Sequence, residues 1–198
     1  MIKELIFASR NQGKIIEIKQ MLAPLGITVK SALELNLPDV EETGTTFAEN
    51  SLLKSQTIAK VLGLPCIADD SGLCVDALNG APGVYSARYA PDRDFDKGMD
   101  KLLKEMSESK KDSRSAHFSC VVSLSWPDGR YEIFEGRVDG KIAEQKMFGD
   151  EGFGYDPLFI PEGYTQSFAQ MSHEEKNKIS HRGRAMAKFK AFIENLQG

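Results

Sequence analysis

The run Cys66-Ile67-Ala68-Asp69-Asp70-Ser71-Gly72-Leu73-Cys74-Val75 constrains the fold more than any other part of this chain. Three apolar residues stop at two adjacent carboxylates, and a second apolar run follows Ser71-Gly72. That is the profile of a buried strand delivering acids to its end, and in open α/β sheets ligands sit outside the carboxyl ends of the strands. Asp69 and Asp70 are therefore placed to hold a metal or meet a phosphate. Asp and Ser equally suit a plain strand-ending turn, because their side chains bond nearby backbone.

Before this stretch, Leu5-Ile6-Phe7-Ala8 reads as a short buried strand, followed by the polar turn Ser9-Arg10-Asn11-Gln12-Gly13-Lys14. Ile15, Ile16, Ile18, Met21 and Leu22 then carry a helical period that stops before Pro24. A strand, turn and helix in this order aim backbone N–H groups and the positive end of a helix dipole at one place, and Lys14 adds a full charge. A phosphate suits such a turn, although P-loop spacing is absent. The alternative is an N-cap by Ser9 or Asn11 with a solvated Lys14.

Residues 28–40 read as a second short strand and an irregular link, and 41–45 as a polar loop. Thr46-Phe47-Ala48-Glu49 has capping-box spacing for a helix to about Leu62, ended by Gly63 and Pro65. Ala48, Leu52, Ala59 and Leu62 mark its apolar side, with Asn50 and Lys54 one turn apart on another face. The functional expectation is that the Glu42 loop lies against Asp70, so that two carboxylates hold one magnesium ion completed by phosphates and water. Otherwise Glu42 is a loop acid and Lys54 an exposed helical lysine.

Gly80-Ala81-Pro82-Gly83 reads as a tight turn, and Arg88 ends a loop. Phe95, Met99, Leu102, Leu103 and Met106 describe an amphipathic packing helix. Between 115 and 126 apolar residues alternate with Ser115, His117, Ser119, Ser123 and Ser125, and Pro127-Asp128-Gly129 turns this strand into Tyr131-Glu132-Ile133-Phe134. An antiparallel hairpin thus joins the α/β units, and the sheet is mixed. In Gly152-Phe153-Gly154-Tyr155-Asp156-Pro157 the glycines let a flat ring approach an aromatic, where base stacking is worth roughly 1–3 kcal/mol. Plain core is the alternative for both aromatics. His181 and Arg182 open a last helix whose buried stripe is Met186, Phe189, Phe192, Ile193 and Leu196. Arginine beside a helix N-terminus opposes the dipole, which favours an anionic or carbonyl-bearing partner for it.

Composition narrows the classes. A chain of 198 residues is most economically one domain, perhaps of two lobes, with enough core to need no staples. Its 25 basic against 29 acidic residues, net −4, leave no overall basic field for a nucleic-acid polymer. Cys66, Cys74 and Cys120 sit among apolar residues and cannot all pair, which points to a reducing, cytoplasmic compartment. Met1–Leu5 lacks a signal-peptide core, and no apolar run is long enough to span a bilayer.

Five blocks in order, SRNQGK at 9–14, EETGTTFAENSLLKS at 41–55, IADDSGLCVDALNGAPGVYSARYA at 67–90, GFGYDPLF at 152–159 and KNKISHRGRA at 176–185, resemble the inosine triphosphate pyrophosphatases, also called dITP/XTP diphosphatases. The resemblance covers nearly the whole chain. It implies a mixed α/β fold whose sheet is flanked by helices, in two lobes with the site in the cleft between them, and usually a homodimer. It implies magnesium-dependent cleavage of ITP, dITP and XTP at the α-phosphorus to monophosphate and pyrophosphate, which clears non-standard purine nucleotides. Residue by residue, it places the triphosphate on Ser9, Arg10, Asn11, Gln12, Gly13 and Lys14 with help from Asn50 and Lys54. It gives the metal to Glu42 and Asp70, base catalysis to Asp70, and a substrate contact to Ser71. Phe153, Gly154, Tyr155, Asp156, Lys176, His181 and Arg182 form the implied base pocket. Ser51 and Gln170 stand where that family often has Ala and Glu.

Overall fold

The computed structural model describes residues 2–197 and holds a six-stranded mixed sheet flanked by helices. Strand β1 (Glu4–Phe7) leads into helix α1 (Gln12–Leu22) and strand β2 (Thr28–Ser31). Helix α2 (Phe47–Leu62) precedes strand β3 (Cys66–Val75), and helix α3 (Phe95–Glu108) precedes β4 (Ser115–Ser125) and β5 (Tyr131–Ile142). Strand β6 (Phe159–Pro161) and helices α4 (His173–Ile179) and α5 (His181–Gln197) complete the chain. The strand order is β2-β1-β3-β4-β5-β6, with β1 parallel to β2 and β3, and β5 antiparallel to β6.

The chain divides into two compact units. One comprises residues 1–70, 120–136 and 182–198, the other 71–119 and 137–181. In the first unit the two-residue strand period sorts the core. Leu5, Phe7 and Ile67 share a cluster with Ile15, Ile18 and Leu22 of α1 and Met186, Phe189 and Ile193 of α5. Ile6, Ala8, Cys66 and Ala68 share another with Ile58 and Ala59 of α2. One face of these strands therefore meets α1 and α5, and the other meets α2. The second unit is built on Leu73, Leu102, Phe118, Phe159 and Phe168.

Two expectations are corrected here. Strand β3 does not stop at the acids but runs through them, with Asp69 and Asp70 only 1% and 5% exposed. An unpartnered carboxylate ends a buried strand, whereas these two find cations and donors inside the protein. The buried side of α2 is only partly the apolar one read from sequence: Ala59 is buried and Leu62 packs against its cluster, but Asn50, Ser51, Ser55 and Ile58 are buried in place of Ala48 and Leu52. Its serines are accepted in the core because β4 supplies hydroxyl partners, Ser123 and Ser125.

Candidate active site

Consecutive strand residues point to opposite faces, so Asp69 follows Ile67 toward α1 and α5 while Asp70 follows Ala68 toward α2. Each acid consequently has its own set of partners. Asp69 Oδ1 lies 3.1 Å from Lys14 Nζ. Its Oδ2 accepts from Arg182 Nε at 3.2 Å and Nη2 at 3.0 Å. Arg182 Nη1 in turn donates to Glu17, a glutamate of α1 with no solvent exposure. Lys14, Glu17, Asp69 and Arg182 thus form a quartet of two cations and two anions. Burial alone raises a carboxyl pKa, but Lys14 and Arg182 outweigh it and hold Asp69 well below the usual carboxylate range.

The phosphate-like turn is partly as expected. Asn11 caps α1, its Oδ1 accepting from the Lys14 backbone N–H at 3.0 Å, and Ser9 Oγ accepts from Asn11 N–H at 3.2 Å. Helix α1 begins at Gln12, so Gly13 and Lys14 lie in its first turn. The capping and the charge coexist: Lys14 is not a solvated end but reaches Asp69. Arg10 is exposed and turned to the Leu37 carbonyl at 2.5 Å and toward Asp39, and Gln12 is exposed.

On the other face, Asp70 Oδ2 accepts from Asn50 Nδ2 at 3.1 Å, and Lys54 Nζ lies 3.9 Å from Asp70 Oδ1. The same Lys54 donates to Glu42 Oε1 at 2.6 Å. Asn50 also anchors the loop carrying Glu42, because its Oδ1 accepts from Gly44 N–H at 2.8 Å. A Cβ on Gly44 would come within 2.6 Å of Glu49 Cβ, so this close approach requires glycine. The loop is fixed at its far end by a capping box between Thr46 and Glu49. Burial pushes the Asp70 carboxyl up to about 6, against the opposing pull of Lys54 and Lys14.

A hydroxyl chain holds α2 on the strands. Ser51 Oγ donates to the Ala68 carbonyl at 3.1 Å, which uses its one hydrogen. Ser123 Oγ then donates to Ser51 at 2.8 Å, and Ser55 Oγ lies 2.8 Å from Ser123 and 2.7 Å from Ser125, its one hydrogen also within reach of the Leu52 carbonyl at 3.3 Å. All four are fully buried, and the cluster ends on Ala68, the residue just before Asp69. Asn50 and Lys54 flank Ser51 on the helix so fixed.

In the second unit, Lys176 Nζ pairs with Asp156 Oδ2 at 2.7 Å, both side chains being buried. The ammonium lies 4.6 Å from the centre of the Phe153 ring, and Asp156 Oδ2 also accepts from Phe153 N–H at 2.8 Å. Phe153, Asp156 and Lys176 are thus brought together, with Gly154 beside them at φ +63°. Helix α4, which presents Lys176, was not read from sequence, and neither was the buried acid Glu17. His181 stacks on Phe118, with centroids 4.6 Å apart and planes 11° apart. Ser71 is half-buried on β3.

Tyr155 and Arg182 differ from their expected places in a base pocket. The Tyr155 ring is core, packed edge-on to Phe95 at 5.4 Å, and its hydroxyl donates to the Ser86 carbonyl at 2.7 Å. Arg182 is 2% exposed and commits its guanidinium fork to Glu17 and Asp69, the geometry for which arginine is suited. Buried carboxylates compensate its awkward position at a helix N-terminus. A cavity of about 440 Å³ in the second unit, lined by His117, Arg137 and Asp139 among others, contains none of the expected site residues.

Among the described residues no cluster of three or more His, Cys, Asp or Glu side chains is disposed to hold a metal, and no helix is long and apolar enough to cross a membrane. Glu42 and Asp70 converging on one ammonium nonetheless present hard oxygen donors to one cation, and two carboxylates suffice for magnesium when substrate phosphates share the coordination.

Comparison with known proteins finds relatives over nearly the whole chain. The chain is 49% identical over 183 residues to a dITP/XTP pyrophosphatase of Zymomonas mobilis, covering 91% of this chain and 87% of that one. It is 46% identical to a dITP/XTP pyrophosphatase of Streptomyces avermitilis, with 98% of each covered. The Ham1 protein structure from Staphylococcus aureus matches with a TM-score of 0.84 at 45% identity, covering 98% of this chain and 99% of that one. A HAM1 protein from Coxiella burnetii matches at 0.89 and 38% identity, covering 98% and 100%. The family model described as the Ham1 family matches residues 5–192, and the chain belongs to the Ham1 family.

Proposed function

We propose that this protein hydrolyses the non-standard purine nucleoside triphosphates ITP, dITP and XTP at the α-phosphorus, giving the monophosphate and pyrophosphate, with Mg2+ as cofactor. The observation that carries this reading is the pair Asp69-Asp70, whose two carboxylates face opposite ways and are each met by a lysine, Lys14 and Lys54. Relatives at up to 49% identity bear the name dITP/XTP pyrophosphatase.

A triphosphate brings several negative charges, and phosphoryl chemistry is chiefly a matter of positioning and charge stabilisation. Lys14 and the first N–H groups of α1 bind phosphate oxygens, and Lys54 neutralises the departing pyrophosphate. Asp70 accepts the proton of the attacking water. Glu42 and Asp70 hold the magnesium ion, which when bound supplies further charge neutralisation on the polyphosphate.

For the base, Lys176 and Asp156 offer a donor and an acceptor 2.7 Å apart beside an aromatic ring. A 6-oxopurine presents a carbonyl acceptor next to an N1–H donor, the complement of that pair. Adenine presents the reverse, and sites built to bond a substrate group reject its analogue by roughly 10⁴-fold or more. The protein works as a cytoplasmic homodimer on this reading, the dimer resting on family resemblance and the compartment on buried free thiols such as Cys66 and Cys120. The test is incubation of the purified protein with ITP, XTP, dITP, ATP, GTP and dTTP, with and without Mg2+. ITP, dITP and XTP should be consumed fastest and only with the metal, whereas equal consumption of ATP would refute the base assignment.

A further inference from the structure

Lys54 stands where two functions meet. Its ammonium is 2.6 Å from Glu42 Oε1 and 3.9 Å from Asp70 Oδ1, and the side chain is only 12% exposed. Those two carboxylates are the pair assigned above to magnesium, and an oxygen held by an ammonium at 2.6 Å is not equally available to a metal. With Lys54 12% and Glu42 23% exposed, the ammonium and a metal compete for the same carboxylate.

We propose that Lys54 is an internal cation that contests the Glu42 and Asp70 carboxylates with the divalent metal, and that metal binding releases its ammonium to the substrate phosphates. The proposal rests on the magnesium reading of Glu42 and Asp70. It assigns Lys54 a second role beyond phosphate contact: its ion pair neutralises the buried Asp70 and the half-buried Glu42 and keeps the Glu42 loop closed on α2. The release needs no movement of α2, because the hydroxyl chain from Ser125 to Ala68 and the Asn50 bonds to Gly44 and Asp70 do not involve Lys54. Taking Glu42 and Asp70 away with a metal frees an ammonium to meet an incoming anion. Metal and triphosphate binding are thereby coupled through one side chain.

The experiment titrates the protein, without nucleotide, with Mg2+ alone in a calorimeter, comparing wild type, Lys54→Met and Glu42→Gln. Removal of a full positive charge within about 4 Å of the ligands should tighten Mg2+ binding by about tenfold or more in Lys54→Met. Glu42→Gln should weaken it. Unchanged or weaker Mg2+ binding by Lys54→Met, with Glu42→Gln still losing affinity, overturns the exchange and leaves the metal site standing. No loss of affinity in Glu42→Gln overturns both. As a check independent of variant folding, wild-type Lys54 is labelled with an amine-acylating reagent and read by peptide mass spectrometry, with the exposed Lys104 as internal reference. Mg2+ should increase Lys54 labelling several-fold relative to Lys104, and unchanged or reduced labelling contradicts release.

Discussion

Replacing Arg182 with alanine tests the buried quartet directly. One guanidinium serves two carboxylates, Glu17 at 0% exposure and Asp69 at 1%. Removing one partner of a buried ion pair costs roughly 3–5 kcal/mol, because the other charge is left uncompensated. Here two acids lose their shared cation, while Asp69 keeps Lys14. A loss of about 4 kcal/mol or more is therefore expected, out of the roughly 5–15 kcal/mol that holds a domain folded. Arg182→Met keeps much of the volume and should cost nearly as much, while Arg182→Met combined with Glu17→Gln should recover about 2 kcal/mol by removing one stranded charge. Urea unfolding with an unchanged slope measures these differences. In the folded fraction, turnover of ITP and ATP should fall by a common factor, since the guanidinium acts through Asp69 and Lys14. A destabilisation under about 1 kcal/mol, together with a loss confined to ITP, would refute this reasoning and return Arg182 to the base.

The way these partners are spread along the chain explains what was legible beforehand. The α/β order, the capping box at Thr46, the serine-alternating strand and the apolar stripe of α5 follow from local period and were readable. The convergence of Glu42, Lys54 and Asp70 was also within reach, because a strand carrying two acids and a lysine-bearing helix define few arrangements. Glu17 was not readable: inside α1 it has the look of a polar surface position, and its partner Arg182 lies 165 residues away. Asp69 and Asp70 read as strand terminators for the same reason, since Arg182 is 113 residues from Asp69. Tyr155 shows the converse error, a core aromatic drawn into a ligand site by its glycine-flanked neighbour Phe153. Its distinguishing contact, the Ser86 carbonyl, is 69 residues distant.

Other perturbations give separate expectations. Asp70→Asn should lose more than nine-tenths of kcat while remaining folded, and retention of a tenth or more, a barrier change of at most about 1.4 kcal/mol, would remove Asp70 from the base role. Because burial raises the Asp70 pKa to about 6 from an ordinary 3.8, the native state holds this proton more tightly than the unfolded chain. Its contribution to stability therefore falls as pH rises from about 4 to 6, so Asp70→Asn should be more stable than wild type at pH 7, by on the order of 1–3 kcal/mol, and not at pH 4. Thermal unfolding at both pH values checks this. Ser51→Ala removes one hydroxyl partner of Ser123 and the donor to the Ala68 carbonyl and should cost about 1–3 kcal/mol in urea unfolding, whereas a neutral result would show that the hydroxyl cluster rearranges. Lys14→Ala should raise KM for ITP, and an unchanged kcat/KM would confine Lys14 to its pairing with Asp69.

Attack at the α-phosphorus is tested most directly by hydrolysis of ITP in ¹⁸O-labelled water with Mg2+, followed by mass spectrometry of the products. The label should appear in the phosphate of IMP, with unlabelled pyrophosphate released alongside it. Label in pyrophosphate would place the attack at the β-phosphorus, and IDP with labelled inorganic phosphate would place it at the γ-phosphorus; either contradicts the assignment of Asp70, Lys14 and Lys54 made here.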